Sequence, residues 1–287
     1  MKPEDVRTVG IVGCGLMGSG IAEVVARAGA EVTFVEASED LVTRGRERIE
    51  ASLERAVERG KITPQERAEA LGRIRGALDL AALGDVDLVI EATTEDVEAK
   101  FAVFRRLGEH TRAETVLASN TSSIPIVDLG AVSGRPDRVI GMHFFNPPPV
   151  MRLLEIIPAI TTSDETSELA RGFGERLGKT CVRSADRAGF IVNRLLIPYL
   201  NSAARLVDEG TASREDIDAA ITLGLGHPMG PLALMDLIGI DVNLAAARGL
   251  FEASGRPPRF RPSPIQEELV AAGRLGRKSG EGFYRYD

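Results

Sequence analysis

His143 sits in the stretch GMHFFNPPPVMRLLE, Gly141 to Glu155, and is one of only three histidines in 287 residues. It closes an apolar run and precedes Asn146 and three consecutive prolines, after which a second apolar run ends in a lone carboxylate, Glu155. A carboxylate beside an imidazole fixes the tautomer and stabilises the imidazolium formed when the ring takes a proton. These residue types therefore suit general acid–base chemistry. Prolines stiffen the connection, so MRLLEII can return as a strand and bring Glu155 beside His143 in a hairpin, with Phe144 and Phe145 keeping the surroundings dry. The plainer alternative is a core histidine bonded to backbone, with Glu155 on the surface. A second polar stretch, ASNTSSIP from Ala118 to Pro125, places Ser119, Asn120, Thr121, Ser122 and Ser123 just after a strand. Its plainer reading is a loop that caps a helix.

A phosphate-binding pattern stands at the other end. Gly13, Gly15 and Gly18, with Leu16 and Met17 between the last two, form GCGLMG. Such a pattern is weak alone, but here it follows the strand-like TVGIV and opens a helical run. It is also followed by a second strand, EVTFV, that ends at Glu36, about 20 residues on. The first glycine permits the tight turn, the second lets the backbone approach a pyrophosphate, and the third lets helix and strand pack closely. The helix N-terminus offers free N–H groups and partial positive charge to phosphates. Glu36 would hold ribose hydroxyls and repel the 2′-phosphate of NADP, which favours NAD, although Arg44 and Arg46 lie near in sequence.

The elements that must position these groups read as an α/β arrangement. Strands are expected at Thr8–Val12, Glu31–Val35, Val86–Ala92, Thr115–Ser119 and Val139–Met142, with helices over Glu39–Arg59, from Pro64 behind the cap Thr63, and over Val97–Gly108. Strand–helix alternation implies a Rossmann-type, mainly parallel sheet with helices on both faces. His143 would then stand at the carboxyl edge, where ligands of open α/β sheets bind. From Gly189 the chain reads as helices only. We therefore expect a Rossmann-type NAD-binding domain over residues 1–186 and a smaller all-α C-terminal domain over residues 187–287, for substrate and dimer contacts.

Composition narrows the classes. A net charge of −7, from 35 Lys+Arg against 42 Asp+Glu, gives no general attraction for nucleic acid or an anionic membrane. No apolar run is long enough to span a bilayer and the start lacks a signal segment, so a soluble cytoplasmic protein is expected. Cys14 and Cys181 form no metal-ligand spacing and suit a reducing compartment; no metal is expected, and neither cysteine is a good nucleophile candidate.

GIVGCGLMGSGIA, ASNTSS, GMHFFNPPPVMRLLE, AGFIVNRLL, GHPMGPLALMDLIGIDV and GRKSGEGFYRYD together resemble the L-3-hydroxyacyl-CoA dehydrogenase family, over Val9 to Tyr286. The bacterial 3-hydroxybutyryl-CoA members are the most similar. The resemblance implies hydride transfer between C3 of a 3-hydroxyacyl-CoA and NAD, with His143 as general base and Glu155 as its orienting partner. It places the family's serine at Ser122 and its asparagine at Asn193, both bonding the 3-oxygen. Glu95, Lys100, Ser122, Asn146 and Lys278 correspond to cofactor contacts, and Ser52 and Arg59 to CoA contacts. It implies an active site between the domains, an acyl-CoA substrate and a homodimer through the C-terminal domain, which the long apolar stripe LALMDLIGIDVNLAAARGLF also suggests. His227 reads as structural, and His110 as lying at a helix end without a role. NPPPVM in place of the family's usual Asn-Pro-Val-Pro-Val-Met removes no functional group.

Relatives acting on a free hydroxy acid, gulonate or carnitine would keep the Ser, His and Glu set but need no basic surface for the CoA phosphates. The helix over Ser52 to Lys61 discriminates in principle. A 3-hydroxyisobutyrate-type enzyme would place a lysine four residues after a glycine, whereas Asn193 stands four after Gly189. A non-catalytic, crystallin-like NAD-binding protein would not need Ser122, His143, Glu155 and Asn193 together.

Overall fold

In the computed structural model, which describes residues 1–286, the run Thr8–Val12 forms β1, an interior strand of an eight-stranded sheet. Its neighbours follow from the chain order. After α1 (Leu16–Arg27), β2 (Glu31–Val35) pairs parallel with one side of β1. Then come α2 (Glu39–Glu58), α3 (Pro64–Gly72) and β3 (Ile74–Ala77), which lies outside β2. The chain crosses to the other side of β1 with β4 (Leu88–Glu91), α4 (Val97–His110), β5 (Val116–Ser119), α5 (Ile126–Ser133) and β6 (Val139–Phe144). Those strands are parallel to β1, and β7 (Leu153–Pro158) returns antiparallel to β6. Finally α6 (Asp164–Arg176) leads to β8 (Thr180–Arg183), parallel to β7. The order is β3-β2-β1-β4-β5-β6-β7-β8, a doubly wound, mostly parallel sheet.

Burial explains the strands. β1, β2, β4, β5 and β6 are buried almost throughout, as strands covered on both faces must be. Two strands were absent from the sequence reading, and both lie at sheet edges. In β3 only Ile74 is buried, and no residue of β8 is, so neither carries the apolar run that marks an interior strand. β6 runs two residues past the expected Met142, so His143 lies inside the strand.

The helix starts carry their own caps. Ser38 accepts from Leu41 N–H at the start of α2, Thr63 and Glu66 form a reciprocal capping box on α3, and Asp96 accepts from Ala99 N–H on α4. α5 has no such residue; Asp186, far along the chain, accepts from Ile126 and Val127 N–H at 2.9 Å each.

The chain divides into two compact units, Met1–Arg187 and Ala188–Asp287. The second contains α7 (Val192–Asp208), α8 (Arg214–Leu225), α9 (Pro231–Ile238), α10 (Ile240–Ala253) and α11 (Pro264–Ala271). Leu200, Leu232, Met235, Ile240 and Phe283 form its core. The buried Asp236 accepts from Phe283 N–H, Tyr284 N–H and the Tyr286 hydroxyl, and so ties the C-terminal segment to α9. Among the described residues no helix is long and apolar enough to cross a membrane.

Candidate active site

The carboxyl ends of β1, β4, β5 and β6 bring the chemistry-bearing stretches to one sheet edge. At β1 the turn is shaped for close approach. Gly13 has φ +87°, and a Cβ on Gly18 would lie 1.8 Å from the Gly13 carbonyl oxygen, so only glycine lets α1 close onto the turn. A Cβ on Gly15 would meet nothing within 4 Å, which leaves the side a pyrophosphate would approach open. The first turn of α1 presents the N–H groups of Leu16, Met17 and Gly18, which have no intrahelical acceptor. Glu36, immediately after β2, accepts from Cys14 N–H at 2.5 Å and so stands beside the turn. This donor and carboxylate set fits a dinucleotide.

At β4 lies a buried charge cluster. Glu91 is 0% exposed and takes hydrogen bonds at 2.6 Å from the Lys100 ammonium, the Thr93 hydroxyl and N–H, and the Ser119 hydroxyl. Lys100, itself buried, also reaches Glu95 at 3.6 Å. Glu95 then gathers the ASNTSS loop: its Oε1 accepts from the Thr121 hydroxyl at 2.6 Å and from Ser122 and Ser123 N–H at 2.8 and 3.0 Å. Burial pushes the Glu95 carboxyl up, but the Lys100 cation and these donors outweigh it and hold it below its ordinary value. The Ser122 hydroxyl is 3.2 Å from the same oxygen.

At β6 the hairpin register sets His143 directly opposite Glu155 on β7. His143 Nδ1 and Glu155 Oε2 are 2.7 Å apart, both side chains are buried, and the Phe145 ring packs on the imidazole with centroids 4.7 Å apart. Two further groups hold this pair. The Asn120 side-chain Oδ1 accepts from Phe144 N–H at 2.8 Å, locking the Ser122 loop to the end of β6. The Lys179 ammonium donates to the Pro148 and Met151 carbonyls, clamping the proline turn. Pro148 lies against α1, where a Cβ on Gly20 would come within 2.7 Å of its ring.

Ser52 and Arg59 line one cavity of about 540 Å³ together with Pro147, Pro149 and Val150 of that turn. Asn146, at the head of the turn, is exposed. Asn193, early in α7, and Lys278, whose ammonium is held by Asp241 at 2.6 Å, belong to the second unit. His110 ends α4 with Nδ1 2.8 Å from the Arg106 carbonyl oxygen, and His227 lies 3.4 Å from the Tyr199 hydroxyl. Burial pushes the Cys14 thiol up to about 12 and the Cys181 thiol up to about 11. Among the described residues no group of three or more His, Cys, Asp or Glu side chains could hold a metal ion.

Glu91, Asn120 and Lys179 were not singled out by sequence reading as parts of the site. Glu91 had a signal: a lone carboxylate closing the apolar run LVIE, with Lys100 nine residues on. Asn120 stood in the quoted loop, but nothing in sequence aims it at Phe144.

A doubly wound sheet whose glycine turn and strand-ending carboxylate accompany a buried imidazole–carboxylate pair defines an NAD-dependent dehydrogenase. Residues 8–187 match the model for the 3-hydroxyacyl-CoA dehydrogenase NAD-binding domain, and residues 189–286 match that for the family's C-terminal domain. A 3-hydroxybutyryl-CoA dehydrogenase of Mycobacterium tuberculosis is 50% identical over 283 residues, covering 98% of this chain and 99% of that protein. The crystal structure of (S)-3-hydroxybutyryl-CoA dehydrogenase from Ralstonia eutropha superposes with a TM-score of 0.93 at 43% identity, over 99% of this chain and 100% of that one. A diketoreductase structure is similar at 30% identity and a TM-score of 0.87, over 98% and 99%. The chain belongs to the 3-hydroxyacyl-CoA dehydrogenase family.

Proposed function

We propose that the enzyme interconverts a short-chain (3S)-3-hydroxyacyl-CoA, such as 3-hydroxybutyryl-CoA, and the corresponding 3-ketoacyl-CoA. Bound NAD supplies the hydride acceptor for C3, or as NADH the donor. His143 takes the 3-hydroxyl proton: with Nδ1 committed to Glu155, transfer falls to Nε2, and the carboxylate stabilises the cation that forms. Ser122 donates to the 3-oxygen, where charge develops, and Asn193 is the position that matches the family's asparagine. Glu95 and Lys100 hold the loop carrying Ser122. The carrier lies along the cavity with Ser52 and Arg59, whose guanidinium suits a phosphate.

The observation that carries this reading is the buried His143–Glu155 pair at 2.7 Å, on the same sheet edge as the dinucleotide turn. NADH oxidation with acetoacetyl-CoA, run beside acetoacetate and with His143→Ala, tests it. Turnover of the CoA ester alone, lost in the variant, is expected. Turnover of acetoacetate instead moves the enzyme to the free hydroxy-acid relatives, and activity unchanged by His143→Ala defeats the mechanism.

The same reading includes a homodimer through the helical unit, supported by Leu195, Leu223, Leu225 and Val242, which are at least half exposed there. Light scattering that gives the monomer mass of 30.7 kDa at micromolar concentration would remove that part. Two free cysteines suit a reducing cytoplasm, which cell fractionation would check.

A further inference from the structure

Glu23, on α1, is 1% exposed; its Oε1 accepts from Arg27 Nη1 at 3.2 Å, and its Oε2 has no hydrogen-bond partner. A buried carboxylate is costly unless paired, so this one depends on Arg27, one helical turn on. Both residues line the cavity that contains Ser52 and Arg59. Arg27 also lines a second cavity, of about 610 Å³, with Arg73, Arg152 and Lys179. The two cavities share Arg27, Lys61, Pro149 and Val150, so Arg27 stands where they meet.

A guanidinium carries five N–H donors in a fixed fork. One Nη1 donor goes to Glu23, and the Arg27 side chain stays 32% exposed, so donors remain for the cavity side. Lys179 is close enough to feel this charge: burial first, and Arg27 second, push its ammonium below the usual range, with Glu23 opposing. Two repelling cations around one carboxylate, with Lys61 beside them, leave an excess of positive charge that a bound anion would relieve. Glu66 and Glu69 on α3, also on the second cavity, are engaged elsewhere, with the Thr63 cap and with Arg73.

We propose that Arg27, aimed by Glu23, binds a phosphate at the nucleotide end of the acyl carrier and so selects CoA esters over thioesters that lack it. The inference rests on the acyl-CoA reading above. Arg27 is a specificity residue for the carrier, and Glu23 is its positioning residue.

The test compares acetoacetyl-CoA, acetoacetyl-3′-dephospho-CoA and acetoacetyl-pantetheine as substrates of the wild type and of Arg27→Ala. Loss of a charge-assisted hydrogen bond is expected to raise KM for acetoacetyl-CoA about tenfold. The kcat, the KM for NADH and the KM for acetoacetyl-pantetheine should not change. If the dephospho ester suffers the same loss, the partner is the pyrophosphate; if it does not, the partner is the 3′-phosphate, and either result supports the proposal. An unchanged KM for acetoacetyl-CoA, an equal rise with acetoacetyl-pantetheine, or a parallel rise for NADH, whose binding turn opens α1, overturns it. Glu23→Ala separates aiming from charge: removing a negative group should lower KM by simple attraction, whereas losing the aim of Arg27 raises it, and Glu23→Gln, which keeps an acceptor, restores it. A fall in KM with Glu23→Ala overturns the positioning role. Failure of the acyl-CoA reading shows separately, in wild-type enzyme that turns over acetoacetyl-pantetheine as efficiently as acetoacetyl-CoA.

Discussion

Glu155→Gln keeps the shape of a side chain that is 0% exposed and removes only its charge and its acceptor-only character. A carboxylate can only accept, so a neutral His143 ring keeps its proton on Nδ1, 2.7 Å away, and in the proposed mechanism Nε2 takes the substrate proton. An amide can present its NH₂ instead and reverse the tautomer. Hydrogen bonds to charged groups are worth about 1.5–3 kcal/mol, which is about tenfold to 150-fold in rate if the bond is made to the imidazolium in the transition state. Burial of both partners places the loss toward the upper end, since water does not replace the missing charge. Tautomer reversal adds to it, and in the Ser-His-Asp triad the equivalent Asp-to-Asn change costs about 10⁴-fold. We expect kcat in NADH oxidation with acetoacetyl-CoA to fall by about 10²-fold or more. The KM for NADH should hold, because the Gly13 turn and Glu36 are untouched. Thermal unfolding of the variant confirms that the hairpin persists. A folded variant with kcat within about threefold of wild type would show that Glu155 does not serve His143 in catalysis.

Gly18→Ala would drive a Cβ to 1.8 Å from the Gly13 carbonyl oxygen, so the turn must open; NADH affinity by fluorescence titration should drop by at least tenfold, and retained affinity would show that the turn does not form the site. Lys100→Met leaves Glu91 buried with its charge unpaired, a loss of about 3–5 kcal/mol that lowers Tm on the order of 10 °C, and Glu91→Gln in the same chain should recover part of it. A fall of under about 2 °C would mean that the cluster carries little stability. Asp87 is pushed up by burial, yet the Arg7 and Thr8 N–H groups, the Thr8 hydroxyl and Arg112 hold its carboxyl below the ordinary 3.8. Its contribution is therefore present above 3.8 and is lost as pH falls through the lower folded value. Asp87→Asn should then destabilise by about 1–2 kcal/mol at neutral pH, and urea midpoints of variant and wild type should converge on acidification; a constant gap would refute this.

Interior strands were legible because β1, β2, β4, β5 and β6 are covered on both faces and must be apolar throughout, while the edges β3 and β8 need no such run. The His143–Glu155 hairpin was legible for a different reason: three prolines remove backbone donors and flexibility at one spot, leaving two apolar runs little choice but to return on each other. Asp186 capping α5 and Lys179 holding the proline turn were not legible, because each acts across a long stretch of chain on backbone atoms, which every residue possesses. Glu95 and Lys100 entered only through family resemblance. Lysine is seldom fully buried unless paired, and only the fold brings Glu91 and Glu95 to Lys100 to supply that pairing.

Glu36, Glu95, Asp186, Asp218 and Asp236 each accept from backbone N–H groups of turns or helix starts: Cys14, Ser122 and Ser123, Ile126 and Val127, Leu232 and Ala233, and Phe283 and Tyr284. Such amides have no ladder or helical partner, and a carboxylate with two oxygens can satisfy adjacent ones. Five of the 42 acidic side chains thus serve as acceptors for backbone amides, and the net value of −7 does not by itself give the field at any one cavity. In the cavity with Ser52, Glu23 alone faces Arg27, Arg55, Arg59 and Lys61. An anionic carrier of the kind proposed above would meet that local excess of positive charge, screened from the rest of the molecule beyond about 10 Å at ordinary salt.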